Sequence, residues 1–275
     1  MGWTARTTGF LRHYLLAVQF FTRLPVTGGL ARWVGFSPAM LRASAAHFPG
    51  VGWLVGVAAC LAFAVTALAL PVSPYTPLAA AVASTACTVW LTGAFHEDGL
   101  ADLADGLGGS AERERALAIM KDSRIGAYGA IALLLALLLK VALLAVLASV
   151  APLAVLAALL AAHAVSRFWP LVLIRTMAYV GDADGSKSKP LAERITTAAV
   201  WTGAAWSSVP LVLAGLALGA PFALAGLAAS ALAAAWMRRL LARRLAGFTG
   251  DALGATQQLG ELAFYGGAAV ALAWA

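Results

Sequence analysis

The sequence predicts an all-α protein: a polytopic helical bundle of about six to seven transmembrane helices behind an amphipathic N-terminal helix. Three observations predict it. Hydrophobic residues make up 62% of the 275 positions and charged residues only 11%, against roughly 45–50% and about 25% in soluble domains. Long tracts carry no charge: none from Pro49 to Phe95, only Lys140 from Ile125 to Ser166, and none from Ile195 to Met237. The charges that exist are gathered into four blocks between those tracts. Such a composition excludes a disordered chain and a disulfide scaffold, the latter also because only two cysteines are present. The net charge of +7 fits loops held against anionic lipid, not a nucleic-acid partner.

Turn residues divide the apolar tracts. A span needs about 20 apolar residues, which places spans near 50–70, 78–95, 127–148, 153–174, 199–218 and 221–237, with a shorter seventh near 262–275. The breaks fall at Pro71–Pro77, Ala151–Pro152 and Gly219–Pro221, and these connectors are uncharged. The remaining connectors hold nearly all the Lys and Arg, and residues 1–48 contain five Arg and no acid. Positive charge stays on the cytoplasmic side of a membrane. An N-terminus in the cytoplasm therefore puts every charged connector inside and every neutral one outside. The expectation is an integral cytoplasmic (inner) membrane protein whose chemistry faces the cytoplasm.

Residues 1–48 form a cytoplasmic or interfacial segment. Phe10 to Pro25 is apolar but broken by Arg12, His13, Gln19 and Arg23, the pattern of a helix lying in the interface rather than of a span or a cleavable signal. Nothing marks a second domain, so residues 1–275 read as one membrane-embedded unit. Cys60 and Cys87 sit within the first two spans and read as small apolar packing residues. Trp53, Trp90, Trp169 and Trp274, near span ends, fit an interfacial belt.

The chemistry concentrates in residues 96–126. Seven of the twelve acidic residues lie between Glu97 and Asp122. On a helix, Asp98, Asp102 and Asp105 at i, i+4 and i+7 share one face, with Glu97 beside it. Like charges on one stripe repel, so the pattern makes sense around a cation. All-oxygen donors favour a hard ion, and Mg²⁺ characteristically combines a few carboxylates with water and substrate phosphates. Gly106, Gly108 and Gly109 follow, where a phosphate could approach the backbone or a helix could end. Lys121, Asp122, Ser123 and Arg124 come next: two cations able to clamp phosphate, a carboxylate to ligate or orient Arg124, and a hydroxyl donor. Anchoring of the third span explains the same cations equally well. Asp182, Asp184, Lys187 and Lys189 make a polar loop. Asp251, between glycines and close to Thr249, Gln257 and Gln258, resembles part of a polar pocket. Lys140, His163 and Arg167 are ionisable groups within or at the ends of spans, and Arg167 is retained as a candidate phosphate ligand. The residues themselves lead to a metal-dependent transferase of phospho-groups.

The order of these motifs also resembles a known family. His96-Glu97-Asp98-Gly99-Leu100-Ala101-Asp102-Leu103-Ala104-Asp105-Gly106, Arg115-Ala116-Leu117 and Met120-Lys121-Asp122-Ser123-Arg124-Ile125-Gly126 look like cobalamin synthase, the adenosylcobinamide-GDP ribazoletransferase family. Phe21-Thr22-Arg23-Leu24-Pro25, Phe48-Pro49 with Gly52, and Thr249-Gly250-Asp251-Ala252-Leu253-Gly254-Ala255 extend the likeness along nearly the whole chain. The resemblance implies a Mg²⁺-dependent enzyme joining adenosylcobinamide-GDP to α-ribazole or its 5′-phosphate. GMP is released, and adenosylcobalamin or its 5′-phosphate forms at the membrane. Asp98, Asp102 and Asp105 occupy the positions of the family's acidic motif, and the expectation is that they hold the metal, with one of them or a neighbour activating the ribazole hydroxyl. Association into a homo-oligomer or with other proteins of the pathway is left open. The chain departs from the family's pattern at Glu97 and over residues 179–190. Two rivals remain. A CDP-alcohol phosphotransferase shares Asp102-x-x-Asp105-Gly106, but its later acidic motif is missing. A divalent-cation transporter would place carboxylates mid-membrane, whereas here they lie in connectors.

Overall fold

A computed structural model describes residues 3–181 and 195–274. Among the described residues there are thirteen α-helices and no strand. The N-terminal segment forms α1 (Trp3–Phe21), α2 (Gly28–Val34) and α3 (Pro38–Ser44), followed by a 3₁₀ turn, Ala45–His47. The bundle comprises α4 (Phe48–Ala69), α5 (Thr76–Thr92), α6 (Phe95–Gly109), α7 (Arg113–Ile119), α8 (Ala127–Val150), α9 (Pro152–Ser166), α10 (Phe168–Thr176), α11 (Thr197–Leu218), α12 (Ala220–Arg244) and α13 (Gly250–Leu272). The polar loop containing Asp182, Asp184, Lys187 and Lys189 lies outside the described residues.

The helix starts follow from local sequence. Pro occupies the first turn of α3, α4, α5, α9 and α12, where its missing N–H costs no hydrogen bond. Ser37, Thr196 and Thr249 cap α3, α11 and α13 by accepting a backbone N–H. Among the described residues, five stretches are long and apolar enough to cross a membrane: 38–69, 127–150, 152–176, 197–218 and 220–244. A sixth arises if α5 and α6 are counted together, although they meet at 89°. The expected seventh span near 262–275 is instead the second half of α13. That helix begins at Gly250 and carries Gln257, Gln258 and Glu261 on a buried face, too polar for lipid but suited to the inside of a bundle.

Without water to expel, helices in lipid are held by close packing and interhelical hydrogen bonds. Gly52 on α4 lets that helix touch the backbone of α9: a Cβ there would overlap the carbonyl of His163. Leu134, Leu135, Leu138 and Leu139 of α8 stay exposed, whereas Lys140, Leu144 and Leu147 are buried, which separates a lipid face from a bundle face. α1 is more than an interfacial helix. Leu16, Ala17, Val18 and Phe21 enter the core, while Phe10 and Leu11 remain exposed. Of the tryptophans near span ends, Trp90 and Trp274 are exposed, whereas Trp53 and Trp169 donate inward to the Trp206 carbonyl and to Ser230.

The deepest polar cluster centres on Glu261, 1% exposed. Lys140 Nζ of α8 lies 2.7 Å from its Oε1, and His163 Nδ1 of α9 lies 3.0 Å from its Oε2. Gln257 and Tyr265 of α13 donate to the same carboxylate at 2.7 and 3.2 Å. Lys140 and His163, unassigned from sequence, thus find a common partner, and each bond crosses between helices or braces α13.

The Gly52 contact is testable by thermal unfolding in detergent. Gly52→Val should destabilise the bundle by about 1–3 kcal/mol through overpacking. Gly266→Ala, where an added Cβ meets nothing within 4 Å, should leave the midpoint unchanged or slightly raised.

Candidate active site

The acidic segment folds as α6, and the bend before it decides its position. Gly93 and Ala94 both adopt left-handed backbone, with φ of 70° and 60°, ending α5 and turning the chain through 89°. α6 therefore runs across one end of the bundle. Contacts from several elements hold the ends of α5, α6 and α12. The N–H of Arg23 bonds the Leu91 carbonyl, Arg244 Nη2 donates to the carbonyls of Leu107 and Ser110 at 3.0 and 2.6 Å, and Arg113 Nε donates to Leu245 at 2.7 Å. The two arginines satisfy backbone carbonyls at helix ends, a role sequence reading missed.

Gly99 and Gly254 bring α6 onto α13. A Cβ on Gly99 would stand 2.8 Å from the carbonyl oxygen of Asp251, and one on Gly254 would press on His96. This crossing joins Asp251 to the acidic stripe, beside Asp98 and Asp102. Burial and the charges of Asp98, Asp251 and Asp105 push the Asp102 carboxyl up to about 7. Burial, then Asp98, raises Asp251 as well. Mutual repulsion of this kind marks a place where a cation is wanted.

Two of the predicted ligands face elsewhere. Asp105 is buried, and its two oxygens accept the backbone N–H groups of Gly126 (2.7 Å) and Gly129 (2.8 Å). It caps the first turn of α8, where a negative charge also suits the helix dipole. A side chain at either glycine would collide with this carboxylate. Glu97 turns inward: its Oε1 accepts from Gln258 at 2.9 Å, and its Oε2 is buried with no partner. As the side chains stand, no three His, Cys, Asp or Glu residues among the described residues are grouped so that they could hold a metal ion. Asp98, Asp102 and Asp251 nonetheless supply the all-oxygen, partly solvated donor set that Mg²⁺ shares with waters and phosphates.

Gly106, Gly108 and Gly109 lie inside α6 rather than in a loop. Side chains of Met120, Tyr128 and Ile119 occupy the space their Cβ atoms would take, so helix packing accounts for all three. Lys121, Asp122, Ser123 and Arg124 form an exposed turn between α7 and α8. Asp122 grips Arg124 in a fork, Oδ2 to Nη2 at 2.7 Å and Oδ1 to Nε at 3.0 Å, and the hydrogen-bonded guanidinium holds the Asp122 carboxyl down at about 2. Asp122 thus orients Arg124. Arg115, Arg124 and Tyr128 line an open cleft of about 720 Å³ that also reaches Asp105. Arg167 is not part of that cleft. It is 4% exposed, and its Nη1 donates to the His163 carbonyl at 2.9 Å.

Residues 13–269 match the family model described as cobalamin-5-phosphate synthase. The chain belongs to the cobalamin-5-phosphate synthase family. Relatives named adenosylcobinamide-GDP ribazoletransferase agree with this over nearly full length. The protein of Albidiferax ferrireducens is 58% identical across 96% of this chain and 99% of its own, and that of Polaromonas sp. strain JS666 is 59% identical across 96% and 98%. The Ralstonia nicotianae relative is 44% identical across 91% and 92%. No solved structure gives a significant match. Membership in the synthase family sets aside the CDP-alcohol phosphotransferase and transporter readings.

Removal of the Asp105 cap should cost stability. Asp105→Ala leaves the buried Gly129 amide without an acceptor and frees that of Gly126, about 1–3 kcal/mol, read as a lowered unfolding midpoint; Asp98→Ala, which relieves repulsion, should not lower it. A second outcome concerns charge. In metal-free protein, infrared difference spectra should show one carboxyl titrating near pH 7, absent in Asp102→Asn. Because this pKa is raised by folding, the metal-free protein should lose stability as pH rises from about 4 towards 7.

Proposed function

We propose that the chain is an adenosylcobinamide-GDP ribazoletransferase, acting at a late step of cobalamin biosynthesis. It transfers the corrinoid phosphate of adenosylcobinamide-GDP to a hydroxyl of α-ribazole or its 5′-phosphate and releases GMP. A ribose oxygen–phosphorus bond forms, the phosphorus–oxygen bond to GMP breaks, and the hydroxyl proton leaves. The observation that carries the reading is the convergence of Asp98, Asp102 and Asp251 at one end of an apolar bundle, in a chain of this family.

Those three carboxylates would hold Mg²⁺. When bound there, the ion supplies positive charge to the diphosphate and to the departing phosphate. Arg124, held in a fixed orientation by Asp122, and Arg115 beside it offer bidentate contacts to phosphate oxygens in the open cleft. Lys121, in the same turn, adds positive charge. A carboxylate of the trio takes the proton of the attacking hydroxyl. Charge segregation along the sequence supports placing this end at the cytoplasmic face of the inner membrane, where water-soluble ribazole and a membrane-held corrinoid can both arrive.

Protein reconstituted in liposomes with adenosylcobinamide-GDP, α-ribazole 5′-phosphate and Mg²⁺ should release GMP stoichiometrically with a completed corrinoid, and chelation should stop both. Asp98→Ala and Asp251→Asn should each lower kcat by about a hundredfold or more without loss of folded protein. Full activity in Asp251→Asn would remove it from the site, and absence of GMP from folded wild-type protein would overturn the reading.

A further inference from the structure

The four arginines at the end of α12 point three ways. Arg244 turns to α6 and donates to the carbonyls of Leu107 and Ser110. Arg238 turns to α10, its Nε donating to the Thr176 hydroxyl at 3.4 Å. Arg239 and Arg243 are exposed, with no ion pair or hydrogen bond among the described residues. At about 100° per residue, these two share a face about 60° wide with Leu232 and Trp236. Leu232 is 71% and Trp236 55% exposed, and the exposed Ala228 and Leu224 continue the face away from the arginines. Ala234, Met237 and Leu241, on the opposite side, are buried.

This outward face passes from aliphatic to indole to guanidinium, the order in which a bilayer presents tails, interface and headgroups. Helical rise sets Arg239 about 4.5 Å and Arg243 about 10.5 Å beyond Trp236. Cα–Cβ bonds tilt towards a helix's N-terminus. For α12 that is the far end of the span, so both arginine stems lean back towards the interface. Positive charge at the correct end of a span would suffice for anchoring; it does not require alignment with a tryptophan. The surroundings are also free of competing anions in sequence: no acidic residue occurs between Ile195 and Gly250. Arg175, exposed beside Thr176 at the end of α10, adds to the positive charge.

We propose that this end of α12 is a binding site for an anionic phospholipid. Its phosphodiester is held by Arg239 and Arg243, whose guanidinium groups suit bidentate contact with phosphate oxygens. The glycerol lies beside Trp236, and an acyl chain follows Leu232, Ala228 and Leu224. None of these residues belongs to the transferase machinery, so the site stands apart from the reaction. It adjoins that machinery through Arg244, which ties the same turn of α12 to α6.

The test is lipid selectivity at Trp236. The full chain is reconstituted in phosphatidylcholine vesicles containing rising fractions of brominated phosphatidylglycerol or brominated phosphatidylcholine. The Trp236 signal is the difference between wild type and Trp236→Phe. Half-quenching should need an at least about fivefold lower fraction of the anionic lipid. Arg239→Gln with Arg243→Gln should make the two lipids equivalent at an unchanged unfolding midpoint, whereas Arg32→Gln, on α2, should leave the preference intact. Equal quenching by both lipids in wild type would overturn the proposal, as would a preference that survives in the double variant. Protection of Trp236 from both lipids would also overturn it, by showing that protein covers this face.

Discussion

Glu261 is the residue on which the rest of the architecture depends. A carboxylate removed from water must be neutralised and fully hydrogen-bonded, and here the demand is met from α8, α9 and α13 together. Those helices cannot slide or rotate independently without exposing a charge to hydrocarbon. The constraint reaches the surface through neighbouring amides. Gln257 also donates to Ser166 of α9, and Gln258 bonds both Gln257 and Glu97 of α6. The acidic helix is therefore fastened to the buried cluster by the residue immediately before Asp98.

This arrangement divides labour between adjacent acidic residues on one helix. Glu97 faces inward and positions α6; Asp98 faces outward and is exposed; Asp102 is half-buried; Asp105 closes the start of α8. The helical period delivers these directions. Glycine does the rest, because Gly99 permits the crossing with α13 and Gly126 and Gly129 make room for the Asp105 carboxylate. A transferase of phospho-groups needs carboxylates near solvent and others that hold the frame, and α6 supplies both in two to three turns.

Much of this was legible in the sequence. Uncharged tracts marked the spans, and charge segregation marked the end of the bundle where chemistry is expected. The i, i+4, i+7 spacing placed three aspartates on one helix. What spacing could not show is which partner each side chain meets. Asp105 shares the stripe yet is claimed by two backbone amides on α8, and Asp251, far along the chain, joins the stripe only because Gly99 lets two backbones touch. The polar face of α13 was visible as Gln257, Gln258 and Glu261, but it read as a connector because no apolar run begins before residue 262. Its partners, Lys140 and His163, stood alone in their own spans. Their common signal was that isolated charges in apolar tracts must find one another.

The cap on α8 carries a mechanical consequence. With 24 residues, α8 is about 36 Å long, more than the roughly 30 Å hydrocarbon core it crosses, so it must lean. Asp105 rivets the end of α8 nearest the carboxylates through the amides of Gly126 and Gly129. That end is the pivot, and changes of bilayer thickness are absorbed by swinging the opposite end. Lipids of different chain length can thus retilt the exposed face of α8 while the end nearest the acidic residues keeps its alignment.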